Sequence, residues 1–447
     1  MNQLAAKWIV PFYVFLCLIV GGSNRGIWGS AVLQVGAALL IGFAAVFAKP
    51  RDLPRSARLL LILVIASLLL AVLQLAPLSP EIWTQLPGRA PIREGYEALE
   101  ASLPWLPLSL TPFETLQAAF FALPFLAVLV AIVLLPQVEL RWVVGALVIG
   151  TLANIALGAL QSTGGDHWKI YSITNTGAVG FFANRNFLGT LLVVNIPFAV
   201  ALMGWGRPGK KSEGVTFKVA GAAYLLVILI GIVLNRSLAA ALIAVPVSLA
   251  SLALLPLRLN WKWYAVGMAA AVAVAAALLL TNSPVQSQIM SGDEVSIQTR
   301  MVIWSQTLRI VSDTFPFGTG LGSFQDIYAF YEDPALVGRF YVNNAHNDYL
   351  ELFLETGLPG ALLICGFFVW WAAGVRRVWR SSNADLIAKA ATIASAAILA
   401  HSIVDYPLRT AAISSIFAFC LAAMATFGSS ARSVHPGERG TRHVRIA

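Results

Sequence analysis

The sequence predicts an all-α fold: a polytopic membrane protein with about 12 transmembrane helices and a large helical loop between spans 9 and 10. Three observations carry that expectation. The 447 residues are 58% hydrophobic and only 11% charged, with a mean hydropathy of +0.77, too apolar for a water-soluble domain. Apolar runs of roughly 16 to 23 residues recur from end to end, long enough to cross a bilayer core. The basic residues, finally, fall unevenly between alternate loops.

In chain order the expected spans lie near 8–22, 29–48, 59–78, 113–135, 142–161, 186–205, 219–234, 238–256, 263–281, 358–375, 390–404 and 411–427. The first lacks a small-x-small cleavage site at its flank and reads as a retained span. Several are short, which predicts tilt or local bilayer thinning. The chain thus divides into spans 1–9 over 1–281, a large loop over 282–357, spans 10–12 over 358–427 and a basic tail over 428–447. Two smaller loops carry weight of their own. The segment 79–112 is rich in Pro and Trp, with a short surface helix expected over 92–102. The segment 162–185 holds Asp166-His167-Trp168-Lys169 and ends in Phe182-Ala183-Asn184-Arg185. Within the large loop, a helix near 296–312 precedes the turn Pro316-Phe317-Gly318-Thr319-Gly320-Leu321-Gly322, and a second helix begins around His346.

Placing the N-terminus in the cytoplasm puts 20 of the 30 Lys/Arg inside and 16 of the 21 Asp/Glu outside, so both termini read as cytoplasmic. The net charge of +9 therefore reflects topology; no basic stripe with interleaved aromatics points to nucleic acid. Cys17, Cys365 and Cys420 all lie in spans and form neither a disulfide framework nor a CxxC pattern. Polar residues inside the spans are few: Gln74, Asn154, Asn195 and His401 are the main ones. That scarcity argues against a transporter, which needs ionisable or broken-helix sites at mid-membrane.

Chemistry-capable residues gather instead at the outer membrane face. A helix from His346 would set His346, Tyr349, Leu350 and Phe353 on one face, with Asp348, Glu351 and Glu355 on the other as a solvated face. His346 is then a packed imidazole suited to moving protons near neutral pH. Arg236 sits in a loop too short to leave the surface and opposes the positive-inside bias; it either snorkels to lipid phosphate or meets a fixed anion. Arg300 opens an amphipathic helix, where it serves a diphosphate or pairs with Asp293 or Glu294. Arg185 stands between two Asn at the entry of a span, as helix anchor or ligand contact. Together the three arginines make a plausible diphosphate clamp, since guanidinium matches phosphate oxygens bidentately. The glycines at 318–322 lack the Lys-Ser/Thr ending of a phosphate loop and read as tight turns. His401 and Asp405, four apart, read as a structural pair, and no histidine has the spacing of a zinc site.

These residues resemble a known family. His346-Asn347-Asp348-Tyr349-Leu350, followed by Glu355-x-Gly357-x-x-Gly360, is similar to the signature of the O-antigen ligase and polymerase superfamily of bacterial membrane glycosyltransferases. Supporting matches are Phe182-x-Asn184-x-Asn186, Arg236-Ser237, Arg300-x-x-x-Trp304, the glycine turn and His401-Ser402 with Asp405, so the resemblance covers roughly residues 180–410. It implies an inner-membrane protein with its site on the periplasmic side. The implied reaction is an inverting, metal-independent transfer of a glycan from undecaprenyl diphosphate to a sugar hydroxyl, without a cofactor. The acceptor is the lipid A core in a ligase, or another lipid-linked repeat in an O-antigen or exopolysaccharide polymerase. By this resemblance His346, Arg300 and Arg236 are catalytic. Arg185, Asn184, Asn186, Asn347, Tyr349, His401 and Asp405 are substrate-binding. The expected partners are the lipid-linked donor, the acceptor glycan and membrane lipids, with no nucleic acid. A lipid-linked sugar flippase is the reading from another class.

Overall fold

The computed structural model describes residues 3–23, 28–48, 52–171, 178–205, 211–256, 297–334, 341–382 and 384–428, and the isolated positions 262, 266, 267 and 337. The helices follow from the apolar runs, because in hydrocarbon a segment must satisfy its own backbone polar groups. In order they are α1 (Gln3–Val20), α2 (Trp28–Phe47), α3 (Arg55–Gln74), the short α4 (Pro80–Trp83) and α5 (Ala90–Ala98), α6 (Pro112–Phe121), α7 (Leu123–Leu134) and α8 (Leu140–Gly164). Then come α9 (Arg185–Leu202), α10 (Lys211–Asn235), α11 (Leu238–Ser251), α12 (Ile297–Thr314), α13 (Phe324–Tyr331), α14 (Asp348–Arg380), α15 (Leu386–His401) and α16 (Ala411–Thr426). A two-residue antiparallel pairing of Pro77–Leu78 with Leu106–Pro107 is the β-sheet among the described residues.

Seven helical segments among the described residues are long and apolar enough to cross a membrane, with α6 and α7 joined as Pro112–Leu134. Four shorter apolar helices, α1, α11, α15 and α16, accompany them. The expected span at 263–281 lies outside the described residues, save for Val266 and Gly267. This is a membrane protein whose described residues are mostly helical.

The bundle is organised around α9 and α16. Every residue of α9 from Arg185 to Ala201, and of α16 from Ala412 to Ala425, is buried. Helix α9 packs against α10, α11 and α15, and α16 packs against α7 and α15. Small residues permit the close approach: α15 reads Ala-Lys-Ala-Ala-Thr-Ile-Ala-Ser-Ala-Ala, and a side chain at Gly189 of α9 would strike Ala240 of α11 at 2.5 Å. Outward faces are apolar instead. Val32, Val35 and Leu39 on α2, Ile62, Ile65 and Leu69 on α3, and Val219, Leu226 and Val233 on α10 are all exposed, as a lipid-facing perimeter requires.

A satellite core stands beside the bundle. Ile303, Ile310 and Val311 of α12, Phe324 and Tyr328 of α13, Ala345 and Leu354 pack together. The glycine turn joins this unit to the bundle by backbone contacts: Thr319 N donates to Leu354 O (3.1 Å), Gly320 N to Glu355 O (2.9 Å) and Leu358 N to Pro316 O (2.8 Å). The first two take up carbonyls, and the third an amide, released where α14 bends at Gly357 (φ 59°, ψ −149°). Gln74, at the end of α3, staples the same junction, donating to Glu355 O (2.8 Å) and accepting from Leu321 N (3.0 Å).

Two expectations are corrected here. His346 is not on a helix face: the Asn347 carboxamide accepts from Tyr349 N (3.1 Å) and Leu350 N (3.0 Å), so the helix begins at Asp348 and His346 falls in the preceding turn with φ 51°. The face carrying Asp348, Glu351 and Glu355 is not solvated: these residues are 4%, 0% and 0% exposed. The cause is Arg409, in the link between α15 and α16, whose guanidinium lies against all three carboxylates.

Candidate active site

Four sequence-distant segments converge at one end of α9. Asn184 caps that helix, accepting from Asn186 N at 2.9 Å. Asn186, the second residue of the helix, lies inside the bundle and uses both ends of its amide. Its Oδ1 accepts from the Ser237 hydroxyl (2.7 Å), and its Nδ2 donates to Asp405 Oδ2 (2.6 Å). Asp405 Oδ1 in turn accepts from Tyr406 N (3.0 Å) and lies 3.3 Å from His346 Nδ1. Nδ1 is buried beside that carboxylate without a formed hydrogen bond. Polar contacts therefore run from Ser237 through Asn186 to Asp405 by hydrogen bonds, and from Asp405 to His346 by the 3.3 Å approach.

The His346 ring is held from several directions. Tyr406 meets it edge-on at 5.0 Å between ring centres, and Phe187 meets Tyr406 in the same way at 5.2 Å. Trp304 Nε1 donates to Ala345 O at 2.8 Å, fixing the residue just before His346. Arg300 lies one helical turn before Trp304 on the same side of α12. Its charge reaches both Asp405 and His401, and its Nε is buried without a hydrogen-bond partner. Burial alone would push the Asp405 carboxyl up; His346, then Arg300 and His401, outweigh it and hold the group well below the ordinary carboxylate range.

Arg236 sits on the link between α10 and α11, exposed, with φ 58°. Its neighbours hold that conformation. Asn235 Nδ2 donates to the carbonyls of Ala178 and Arg185, both at 2.8 Å, and Ser237 Oγ both binds Asn186 and caps α11. Left-handed backbone is costly for a long side chain and persists where the surroundings impose it. Among the described residues, Glu100, Arg236 and His346 are the non-glycine residues with positive φ. Two of these three are residues singled out by sequence.

The structure thus brings together His346, Asp405, Asn186 and Arg300, with Asn184 and the Arg236 link at the rim. Arg185 is buried at the first position of α9. Asn347 is occupied as a helix cap, and the Tyr349 hydroxyl donates to Leu399 O (2.7 Å), so both are engaged in holding the fold. His401 does not pair with the Asp405 side chain: its Nδ1 meets Thr190 Oγ1 at 2.8 Å, while Asp405 turns to His346. A helix-spaced His and Asp separate here because Asp405 lies beyond the end of α15. The alternative partners of Arg300, Asp293 and Glu294, lie outside the described residues.

Sequence reasoning gave no role to Arg409 or to Ser237. Arg409 Nη2 lies 3.1 Å from both Glu351 Oε1 and Glu355 Oε2, and Nε lies 3.8 Å from Asp348 Oδ1. Burial would lower its pKa, but the three carboxylates override this and raise it. Glu351 also accepts from Asn344 Nδ2 and Ala345 N (both 2.8 Å), and Asp348 accepts from Ser402 Oγ (2.8 Å), so this cluster fixes the turn bearing His346. Only part of the signal was in the sequence: three acids spaced along one helical face, with no local pattern to pair them with Arg409.

A helical membrane protein with a histidine, carboxylate and arginine centre at one end of its core helix is the class these features define. Within it, the O-antigen ligase family model matches residues 223–365 and supports a place in the O-antigen ligase/polymerase superfamily. The matched segment holds Arg236, Arg300 and His346 but neither Asn186 nor Asp405. A search of curated proteins finds no match.

Proposed function

We propose that the chain is an inverting, metal-independent glycosyltransferase of the bacterial inner membrane. It moves a glycan from undecaprenyl diphosphate to a sugar hydroxyl at the periplasmic face, in the manner of an O-antigen ligase. The observation that carries this reading is the Ser237–Asn186–Asp405–His346 chain, with Arg300 beside it and Arg236 at its far end. Asp405 orients the imidazole through Nδ1, which leaves Nε2 to take a proton. The acceptor oxygen attacks the anomeric carbon from the side opposite the diphosphate, its proton passes to Nε2, and the carbon–oxygen bond to the diphosphate breaks. Arg300 and Arg236 meet the negative charge that grows on the departing group, a task for preorganised guanidinium. Arg185 and Asn184 border the same region as further donor contacts.

The test is a purified transfer assay with an undecaprenyl diphosphate oligosaccharide and an acceptor glycan, with release of undecaprenyl diphosphate as readout. His346→Ala and Arg300→Ala each lower kcat by about 100-fold or more at normal protein levels, and chelation of divalent metals leaves transfer intact. Full activity in both variants, or complete loss with EDTA, overturns the assignment. Product size separates a single transfer to lipid A core from the ladder made by a repeat-unit polymerase.

A further inference from the structure

Beside the His346 centre lies a cavity of about 570 Å³, within the size range of small-molecule sites. It opens between α6, the glycine turn and the first turns of α14. Asp348, Glu351, Glu355 and Arg409 line it, and so do Glu114 of α6 and Asp326 of α13. Asp348 follows His346 by two residues and feels the charge of Asp405, so the cavity adjoins the reacting centre. We propose that this cavity is the subsite for the acceptor glycan, and that it accepts neutral or amine-bearing sugars while refusing uronate- or phosphate-bearing ones. The assignment as acceptor subsite rests on the transferase reading; the preference for sugars does not.

Three features point to a polyhydroxyl ligand. Glu355 is 0% exposed, and although Arg409 binds its Oε2, its Oε1 has no hydrogen-bond partner. A buried carboxylate oxygen without a donor is costly, and a ligand hydroxyl or ammonium in the cavity would supply the missing proton. Planar acceptors and donors stand close together: Asn344 touches Glu351, Asn343 also lines the cavity, and Arg409 Nη2 meets both Glu351 and Glu355. Such planar groups bind vicinal hydroxyls in pairs. Phe121 and Tyr341 add aromatic faces for the C–H side of a sugar ring. The charge then sets the selectivity. Five carboxylates line the cavity against the single guanidinium of Arg409, which is already surrounded by three of them. A second anion would have no cation left to meet.

The experiment uses the full chain in lipid nanodiscs, first without donor. Saturation-transfer NMR is recorded with three trisaccharides that differ only in the terminal sugar: glucose, glucosamine or glucuronate. Glucose- and glucosamine-ended probes should show ring contacts and the glucuronate-ended probe at least tenfold weaker binding. Glu355→Gln should weaken the first two about tenfold, and Asp326→Lys should admit glucuronate. Should Glu355→Gln fail to fold, Asp326→Lys at the exposed mouth decides alone. Equal binding of all three probes, binding of none, or an unchanged preference in folded Asp326→Lys overturns the proposal. With donor added, Asp326→Lys should raise the acceptor KM about tenfold and leave the donor KM unmoved. Absence of transfer in the wild type, with the sugar preference intact, would sink the transferase reading and leave the sugar site standing.

Discussion

His346 occupies a backbone conformation uncommon outside glycine, φ 51° in the turn before α14, and its neighbours constrain it there. The constraint is visible on both sides: Trp304 holds the carbonyl of Ala345, and Asn347 holds the first amides of the helix. Asp405 is the positioning residue beyond it. Asp405→Asn should lower kcat about 10- to 100-fold, with the acid limb of the pH–rate profile displaced, whereas a merely structural loss would leave the profile shape unchanged. The sign of its stability effect follows from its depressed pKa. A carboxyl held below its unfolded value contributes stability that is full above that value, about 3.9, and is lost as pH falls through the folded one. Thermal melts should therefore show the wild type ahead of Asp405→Asn by a constant margin from neutral pH down to about 4, with narrowing only below that. His346, Arg300 and Arg236 were legible as residue types in a pattern; the asparagine and aspartate between them were legible only as weaker matches. Their roles come from cross-strand-free, long-range hydrogen bonds that no local spacing encodes.

At the scale of elements, the first turns of α14 show where sequence periodicity misleads. Asp348, Glu351 and Glu355 share a face, as the spacing requires. Periodicity says which residues travel together but not what they meet, and the arginine they meet lies more than fifty residues later. Burying three acids against one guanidinium is tolerable only while the cation stays. Arg409→Met should cost about 3 to 5 kcal/mol of stability, and the double variant Arg409→Met with Glu351→Gln should recover part of it. Thermal unfolding in detergent measures both. Equal stability of wild type and Arg409→Met would show the cluster to be solvated after all. The glycine turn is a turn, as its three glycines indicated, with positive φ at Gly318, Gly320 and Gly322. Its partner, the bend of α14 at Gly357, was invisible because two backbones meet there: a side chain at Gly318 would reach Gly357 N at 2.7 Å.

For the whole molecule, hydropathy was the legible layer. The apolar runs became helices because nothing else satisfies the backbone in lipid, and their outward faces stayed apolar. Which helix would be central was not legible, since α9 is no more apolar than its neighbours and owes its place to small residues and buried polar contacts. The expected topology gives a direct test. After replacement of Cys17, Cys365 and Cys420, a single Cys at Gln325 should react with a membrane-impermeant maleimide from outside the cell, and one at Ser381 only after lysis. The reverse pattern would invert the assignment of sides.

The polar chain from Ser237 to His346 also bears on how this protein can be rebuilt. The matched segment 223–365 carries both ends of that chain, while its two middle links, Asn186 and Asp405, lie outside on either flank. A chimera that exchanges only this segment with a relative would splice foreign ends onto resident links. Recombination should therefore succeed when the donor segment travels with the start of α9 and the α15–α16 link, and give folded but inactive protein when it travels alone.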